Sequence, residues 1–282
     1  MTPMPPSLGP ALLFCPGDRP ERFDKALAAA DVAVLDLEDG VAATAKAQAR
    51  ELVANYLLAR GPGRLAVRIN NPASAEGQAD AGAVHAAGVK LLLLPKTQGT
   101  EELDALAQIA DCAFIASIET ARGLLAVDRI VAHPRVVAVS WGPYDLAADL
   151  GLRAVRASAG DLLPPLVHAR NGLVFAAAAA GKIALDTVTS ELNDPAVVER
   201  DAGDGALLGF RGKFAIHPAQ VPVIRRAYRP RQSEVERSRR MLAAAAGRGA
   251  FLFEGEMVDE PMLRRARLII GAAEAADARE AP

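Results

Sequence analysis

Short apolar runs recur along this chain, and they are continuous instead of alternating. They read ALLFC (11–15), VAVLDLE (32–38), RLAVRIN (64–70), KLLLLPK (90–96), AFIASIE (113–119), VVAVSWG (136–142), KIALDTV (182–188) and KFAIHP (213–218). Strands apolar on both faces suit a parallel sheet whose two sides are both covered. Between the runs lie stretches of helical character: ERFDKALAAA, TAKAQARELVANYLL, EGQADAGAVHAAG, TEELDALAQIA and GLVFAAAAAG. Eight strand–helix units in about 210 residues are the count of a (β/α)8 TIM barrel, predicted here over residues 11–227. A doubly wound sheet is the alternative, but no GxGxxG follows an early strand. Beyond the eighth run, residues 228–282 hold a charged helix (SEVERSRRMLAAAA), a turn-punctuated GAFLFEGEMVDEP and a last helix (MLRRARLIIGAAEAA). They are expected to form a helical and hairpin arm extending to a neighbouring subunit; a helical cap on the chain's own barrel is the alternative. Residues 1–10, Pro-rich and without an n-region or h-region, are expected to be a flexible lead with no signal peptide.

Composition narrows the function classes. In 282 residues, 51% hydrophobic and 23% charged, the net charge is −2 with the signs interspersed, which argues against nucleic acid as a partner. No apolar run approaches the ~18 residues of a membrane span. Cys15 and Cys112 sit in apolar runs without metal spacing, as small core residues do. A soluble, cytoplasmic protein is expected.

The chemistry gathers at the strand ends, where a barrel of this kind carries its catalytic groups. Carboxylates converge from three strands: Asp36, Glu38 and Asp39 in LDLEDG, Glu119 in IET, and Asp145 in WGPYDL. A single acid at such a place is often a helix cap or an arginine's partner. Three loaded strand ends suggest a hard divalent ion, and Mg²⁺ takes one or two carboxylates while keeping its waters. Zinc is disfavoured, because His85, His133, His168 and His217 show no ligand spacing. Arg68, ending VRIN, is either an ion-pair partner of these acids or a fixed donor to an oxyanion. Arg19 and Lys25 are either a solvated face or holders of ligand phosphates. Lys96 is either a Schiff-base lysine or a partner of the acids.

In this order, LFCPGDRPERFDKA, LDLEDGV, VRIN, LPK, SIETARG, WGPYDL, GFRGKFAIHPAQ and GEMVDEP resemble the HpcH/HpaI aldolase and citrate lyase β-subunit superfamily over about residues 11–270. The likeness is to its stand-alone acyl-CoA lyases. It implies a TIM barrel, a homotrimer or a hexamer of two trimers, and Mg²⁺-dependent cleavage or formation of the bond between acetyl-CoA and an α-keto acid. By the same likeness, Glu119 and Asp145 are metal ligands, Glu38 and Asp39 hold metal-bound water, and Arg68 is the catalytic arginine. Arg19 and Lys25 contact the CoA phosphates, and Asp259 is an acid supplied by the adjacent subunit. Tyr144 departs from the pattern, since many relatives carry Glu or Asn there. The implied substrates are citramalyl-, malyl- or citryl-CoA. A citrate lyase β subunit using a carrier-protein thioester, a CoA-independent pyruvate-type aldolase and a non-catalytic scaffold are the rivals.

Overall fold

The computed structural model describes residues 8–245 and 247–280. Eight parallel strands close into a barrel: β1 (Ala11–Pro16), β2 (Val32–Asp36), β3 (Leu65–Arg68), β4 (Leu91–Leu94), β5 (Ala113–Ile118), β6 (Val136–Trp141), β7 (Ile183–Asp186) and β8 (Gly212–Ala215). Each pairs with its neighbours in chain order, and β8 returns to β1 with Lys213 opposite Ala11. All eight predicted runs are therefore strands.

The runs form strands because their side chains have somewhere apolar to go on both faces. Leu12, Val34, Ala66, Leu93, Ile115, Leu185 and Phe214 belong to one buried cluster. Full burial of such a side chain stabilises by about 1.5–3 kcal/mol relative to exposure, so several from different strands hold the closed barrel. The strands are shorter than the apolar runs. VAVLDLE is a strand only to Asp36, VRIN to Arg68 and KLLLLPK to Leu94, so Glu38, Asn70 and Lys96 lie on the loops beyond. Leu37 is fully buried although it follows the strand, which is why the run reads on.

The helices of this first unit are α1 (Phe23–Ala29), α2 (Lys46–Arg60), α3 (Ala75–Ala86), α4 (Glu101–Ile109), α5 (Ala121–Leu125), α6 (Val127–Ala132), α7 (Pro143–Asp149), α8 (Pro164–Ala179) and α9 (Pro195–Leu208). Their starts carry the chemistry that stops helices fraying. Ser74 and Thr120 hydroxyls accept from Gly77 N and Gly123 N, and Pro143, Pro164 and Pro195 open three others. The first compact unit ends at Arg225, just before the expected boundary, within α10 (Gln220–Tyr228).

Residues 8–10 are not a loose lead. Leu8 packs against the barrel cluster, Gly9 and Pro10 are buried, and Pro10 O accepts from Lys213 N at 2.7 Å. A Cβ on Gly9 would fall 2.3 Å from Asp31 Cβ, so only glycine passes there. The rest of the predicted flexible stretch, residues 1–7, lies outside the described residues.

The second unit contains α11 (Gln232–Ala244), a hairpin of β9 (Phe251–Phe253) and β10 (Glu256–Val258), and α12 (Glu260–Glu280). The expected hairpin and helices are there. Met241, Val258, Leu263 and Ala266 form its small core, with Phe251 and Phe253 against it. Glu254 and Gly255 turn the hairpin with φ of 51° and 84°, the left-handed pair that suits a two-residue turn. Leu252 and Met257 pair across the two strands and are each 75% exposed. Among the described residues no helix is long and apolar enough to cross a membrane.

Candidate active site

The site is assembled at the C-terminal mouth of the barrel, starting from the loop after β2. Asp36, at the end of that strand, turns the loop. Its Oδ1 accepts from Glu38 N at 2.9 Å and its Oδ2 from Gly40 N at 2.8 Å. A Cβ on Gly40 would lie 2.3 Å from Asp36 Oδ2, so the turn closes only over glycine. From behind, Lys46 Nζ donates to the carbonyls of Leu37 and Glu38, both at 3.0 Å, and to Asn70 Oδ1 at 2.6 Å. Asn70 in turn donates to Leu37 O at 2.9 Å and to buried Asp80 at 2.6 Å. This supporting network answers what VRIN ends in an asparagine for, and sequence reasoning missed it.

Arg68 lies beside Asp36 on the next strand. Its Nε and Nη2 fork onto Asp36 Oδ1 and Oδ2 at 2.6 and 2.7 Å, and its guanidinium covers the Phe14 ring at 4.5 Å. Of the two alternatives drawn for Arg68, the fork shows the ion-pair partner of the acids, and it does not engage Nη1. Nη1 lies 3.1 Å from Glu38 Oε2. That contact is an ion pair without hydrogen-bond alignment, because Glu38 Oε2 is buried with no partner aimed at it. A buried carboxylate oxygen with an open lone pair fits a site that takes a further cation or a water bound to one.

Lys96 stands at the centre of the acids. Its Nζ is 2.5 Å from Glu38, 3.3 Å from Asp145, 3.5 Å from Asp39 and 3.9 Å from Glu119. Its backbone N also donates to Glu119 Oε2 at 3.2 Å, from a left-handed φ of 50°. Burial pulls its pKa down, but the hydrogen bond to Glu38 and the charges of Glu38, Glu119 and Asp145 outweigh burial and hold the ammonium above the usual lysine range. A Schiff-base lysine must be neutral to attack, so of the two readings the paired lysine is the one that fits. Glu119 is buried, and its carboxyl is pushed up to about 7, first by burial and then by Glu38 and Asp145, against the pull of Ser117 and Lys96. Gly142 makes room for it: a Cβ there would stand 2.8 Å from Glu119 Cγ.

The structure thus brings Glu38, Asp39, Glu119, Asp145 and Arg68 together. Among the described residues no three histidine, cysteine or carboxylate side chains are grouped so that they could hold a metal ion. Two carboxylates, buried Glu119 and partly exposed Asp145, still suit Mg²⁺, which keeps most of its shell as water. Arg19, after β1, and Lys25, in α1, are both exposed, and the Arg19 guanidinium lies 3.7 Å from Asp18. Asp259 belongs to the second unit, where it is exposed and its carbonyl starts α12 by accepting from Leu263 N. Tyr144 points its hydroxyl to Ser190 Oγ, at 2.7 Å.

A cavity of about 530 Å³ lies at the β6–β8 side and is lined by none of the four clustered acids. On its wall, Asp186 and Lys213 face each other across β7 and β8 and are almost wholly buried. Asp186 accepts from Trp141 Nε1 at 2.8 Å and Arg170 Nη2 at 2.5 Å, and Lys213 Nζ donates to Thr187 O at 2.5 Å. Burial alone would raise the Asp186 carboxyl, but Lys213 and Arg170 bring it below the usual carboxylate range.

Residues 11–218, the barrel with all of these mouth acids, match the model of HpcH/HpaI aldolase/citrate lyase. The chain belongs to that family. The HpcH/HpaI family is a carbon–carbon lyase family, and its likeness here extends through the second unit. A citrate lyase subunit beta-like protein of Mycobacterium tuberculosis is 41% identical over 263 residues, 93% of this chain and 94% of the relative. A (3S)-malyl-CoA thioesterase of Cereibacter sphaeroides is 32% identical, covering 94% of each. The mitochondrial citramalyl-CoA lyase of Homo sapiens is 31% identical, covering 91% of this chain and 83% of that one. The crystal structure of CitE from Mycobacterium tuberculosis in complex with magnesium, acetoacetate and coenzyme A superposes with a TM-score of 0.88 at 41% identity, covering 95% and 99%.

Proposed function

We propose that this HpcH/HpaI-family enzyme is a Mg²⁺-dependent lyase acting on a 3-hydroxy-3-carboxy-acyl-CoA such as citramalyl-, malyl- or citryl-CoA. It would release acetyl-CoA and an α-keto acid, and run the reverse condensation. The observation that carries the reading is the convergence of four acids on one cation beside a fixed arginine. The complexes of the Mycobacterium tuberculosis relative with magnesium and coenzyme A support it.

In this reading Glu119 and Asp145 hold the metal, and Glu38 and Asp39 hold its waters. Bound there, Mg²⁺ supplies Lewis acidity toward the substrate hydroxyl and the neighbouring carboxylate. Arg68, locked to Asp36, presents Nη1 to the thioester oxygen, where negative charge grows as the carbon–carbon bond breaks. A donor fixed before the reaction needs no reorganisation at that moment. An acid then protonates the methylene carbon, and takes a proton from the acetyl methyl in the reverse direction. Asp259 of an adjacent subunit is assigned that role, with Arg19 and Lys25 on the CoA phosphates. The exposed Leu252 and Met257 give the hairpin an apolar face with which to dock in a trimer or hexamer.

The test is a panel of the CoA thioesters of malate, citramalate and citrate with Mg²⁺, following keto acid and free CoA separately. Keto acid together with acetyl-CoA is expected. Free CoA without keto acid would point instead to hydrolysis, the reaction named for the Cereibacter relatives. Glu119→Gln and Asp145→Asn should each lose Mg²⁺ uptake and turnover while the barrel stays folded. Asp259→Asn and Arg68→Ala should regain activity when mixed into one oligomer; no recovery in proven mixed oligomers would remove Asp259 from the neighbour's site.

A further inference from the structure

We propose that the Lys96 ammonium is the counter-ion of the mouth acids in the metal-free protein, and that it gives up Glu119 and Asp145 when a divalent cation enters. The proposal rests on the reading that those two acids take Mg²⁺.

Its first support is position. Lys96 Nζ lies within 4 Å of four carboxylates from three strand ends. An ammonium has three protons, so it cannot satisfy four acids with aligned hydrogen bonds. The two longest contacts, to Asp39 and Glu119, are correspondingly loose. A dication drawn to Glu119 and Asp145 would meet a like charge at contact distance, where repulsion between unit charges is strong even in a polar site.

The second support is mobility of the right kind. The Lys96 side chain is 27% exposed and rests on a flexible four-carbon stem, so it can leave toward solvent without disturbing the core. Arg68, at 17% exposure and forked onto Asp36, has no such freedom. One cation is therefore fixed in place and the other is replaceable.

The third support is the backbone. Lys96 adopts φ of 50°, a left-handed conformation that glycine takes freely and lysine takes against a steric cost. That turn also directs Lys96 N onto Glu119 Oε2. The strained turn delivers the ammonium to the centre of the acids, which a glycine could not supply. Lys96 is thus a positioning residue: it keeps like charges together until the ion replaces it.

Calorimetry with MgCl2 on the wild type, Lys96→Met and Lys96→Gly tests this, together with melting of each in chelator and in Mg²⁺. Removing the competing charge should tighten Mg²⁺ binding about ten-fold or more in both variants. Lys96→Met in chelator should melt below the wild type, and its gain on adding Mg²⁺ should be larger. A lysine that merely braces the loop would weaken binding or leave it unchanged, and either result overturns the proposal. Should both variants misfold, acylation of the wild type read by peptide mass spectrometry decides: Lys96 should label several-fold faster with Mg²⁺ present, and equal or slower labelling refutes it. A wild type that takes up no Mg²⁺ overturns this proposal and the metal reading together. Uptake without tightening in the variants overturns this proposal alone.

Discussion

Breaking the fork between Arg68 and Asp36 should cost more stability than exposed ion pairs do, and unequally from its two sides. Asp36 is 4% exposed in its side chain and receives four donors: two guanidinium nitrogens at 2.6 and 2.7 Å, and the backbone N–H of Glu38 and Gly40. Arg68→Met leaves that carboxylate buried with two donors still in place, so its cost should sit near the low end of the ~3–5 kcal/mol for a broken buried pair. Asp36→Asn also replaces an acceptor by an NH2 facing N–H groups, and should cost about 1 kcal/mol more, since a buried donor is then unpaired. The double variant no longer carries a lone buried charge. It should fall short of the summed single costs by about 2 kcal/mol, within the range of contacting pairs. Urea unfolding in chelator at 25 °C, completed for all four proteins of the cycle, measures this. Costs that add within about 0.5 kcal/mol would refute the reasoning, and with it the claim that Asp36 fixes Arg68.

Three further outcomes are expected. With its carboxyl near 7 in the metal-free fold, Glu119 holds a proton that the unfolded chain releases at about 4.5, so this contribution is full below about 4.5 and lost as pH rises through about 7. Stability in chelator should fall by up to about 3 kcal/mol across that window, and Glu119→Gln should remove this part of the slope; parallel profiles would contradict it. Gly142→Ala places a Cβ 2.8 Å from Glu119 Cγ, so calorimetry should show Mg²⁺ binding weakened about ten-fold or more while circular dichroism is unchanged. Cys15 and Cys112 are pushed up to about 11 by burial, so neither thiol should react with a disulfide reagent at pH 8 until the chain is unfolded.

Much of the fold was legible because parallel strands need unbroken apolar runs, and VAVL or LLLL can hardly be anything else beside Ala-rich helices. Strand ends were not legible. Leu37 is as buried as Leu35, and only pairing with the neighbouring strand decides where the ladder stops. The short helices α5, α6 and α7 gave too few turns for a period to show, and in α9 two internal glycines hide one. The acids of the mouth could be read from their positions after strands. The centrality of Lys96 could not, because it depends on a left-handed turn that no pattern of LPK announces. The Asp186–Lys213 pair was hidden for a related reason: charge at a strand's edge looks solvated until two strands are laid side by side.

That pair bears on the order in which the chain becomes stable. Lys213 arrives on the last barrel strand, and until it does Asp186 has Arg170 and Trp141 as partners and no strand beside it on that edge. Lys213 N also closes onto Pro10 O at 2.7 Å, so the same strand joins the end of the barrel to its beginning. During synthesis the growing polypeptide therefore keeps an open seam between β7 and β1, with unpaired strand edges on both sides, until β8 fills it. A nascent chain stalled before residue 212 should consequently stay protease-sensitive however many of its seven strands have left the ribosome. Acquisition of resistance should be abrupt, coinciding with emergence of the KFA segment, and not gradual strand by strand.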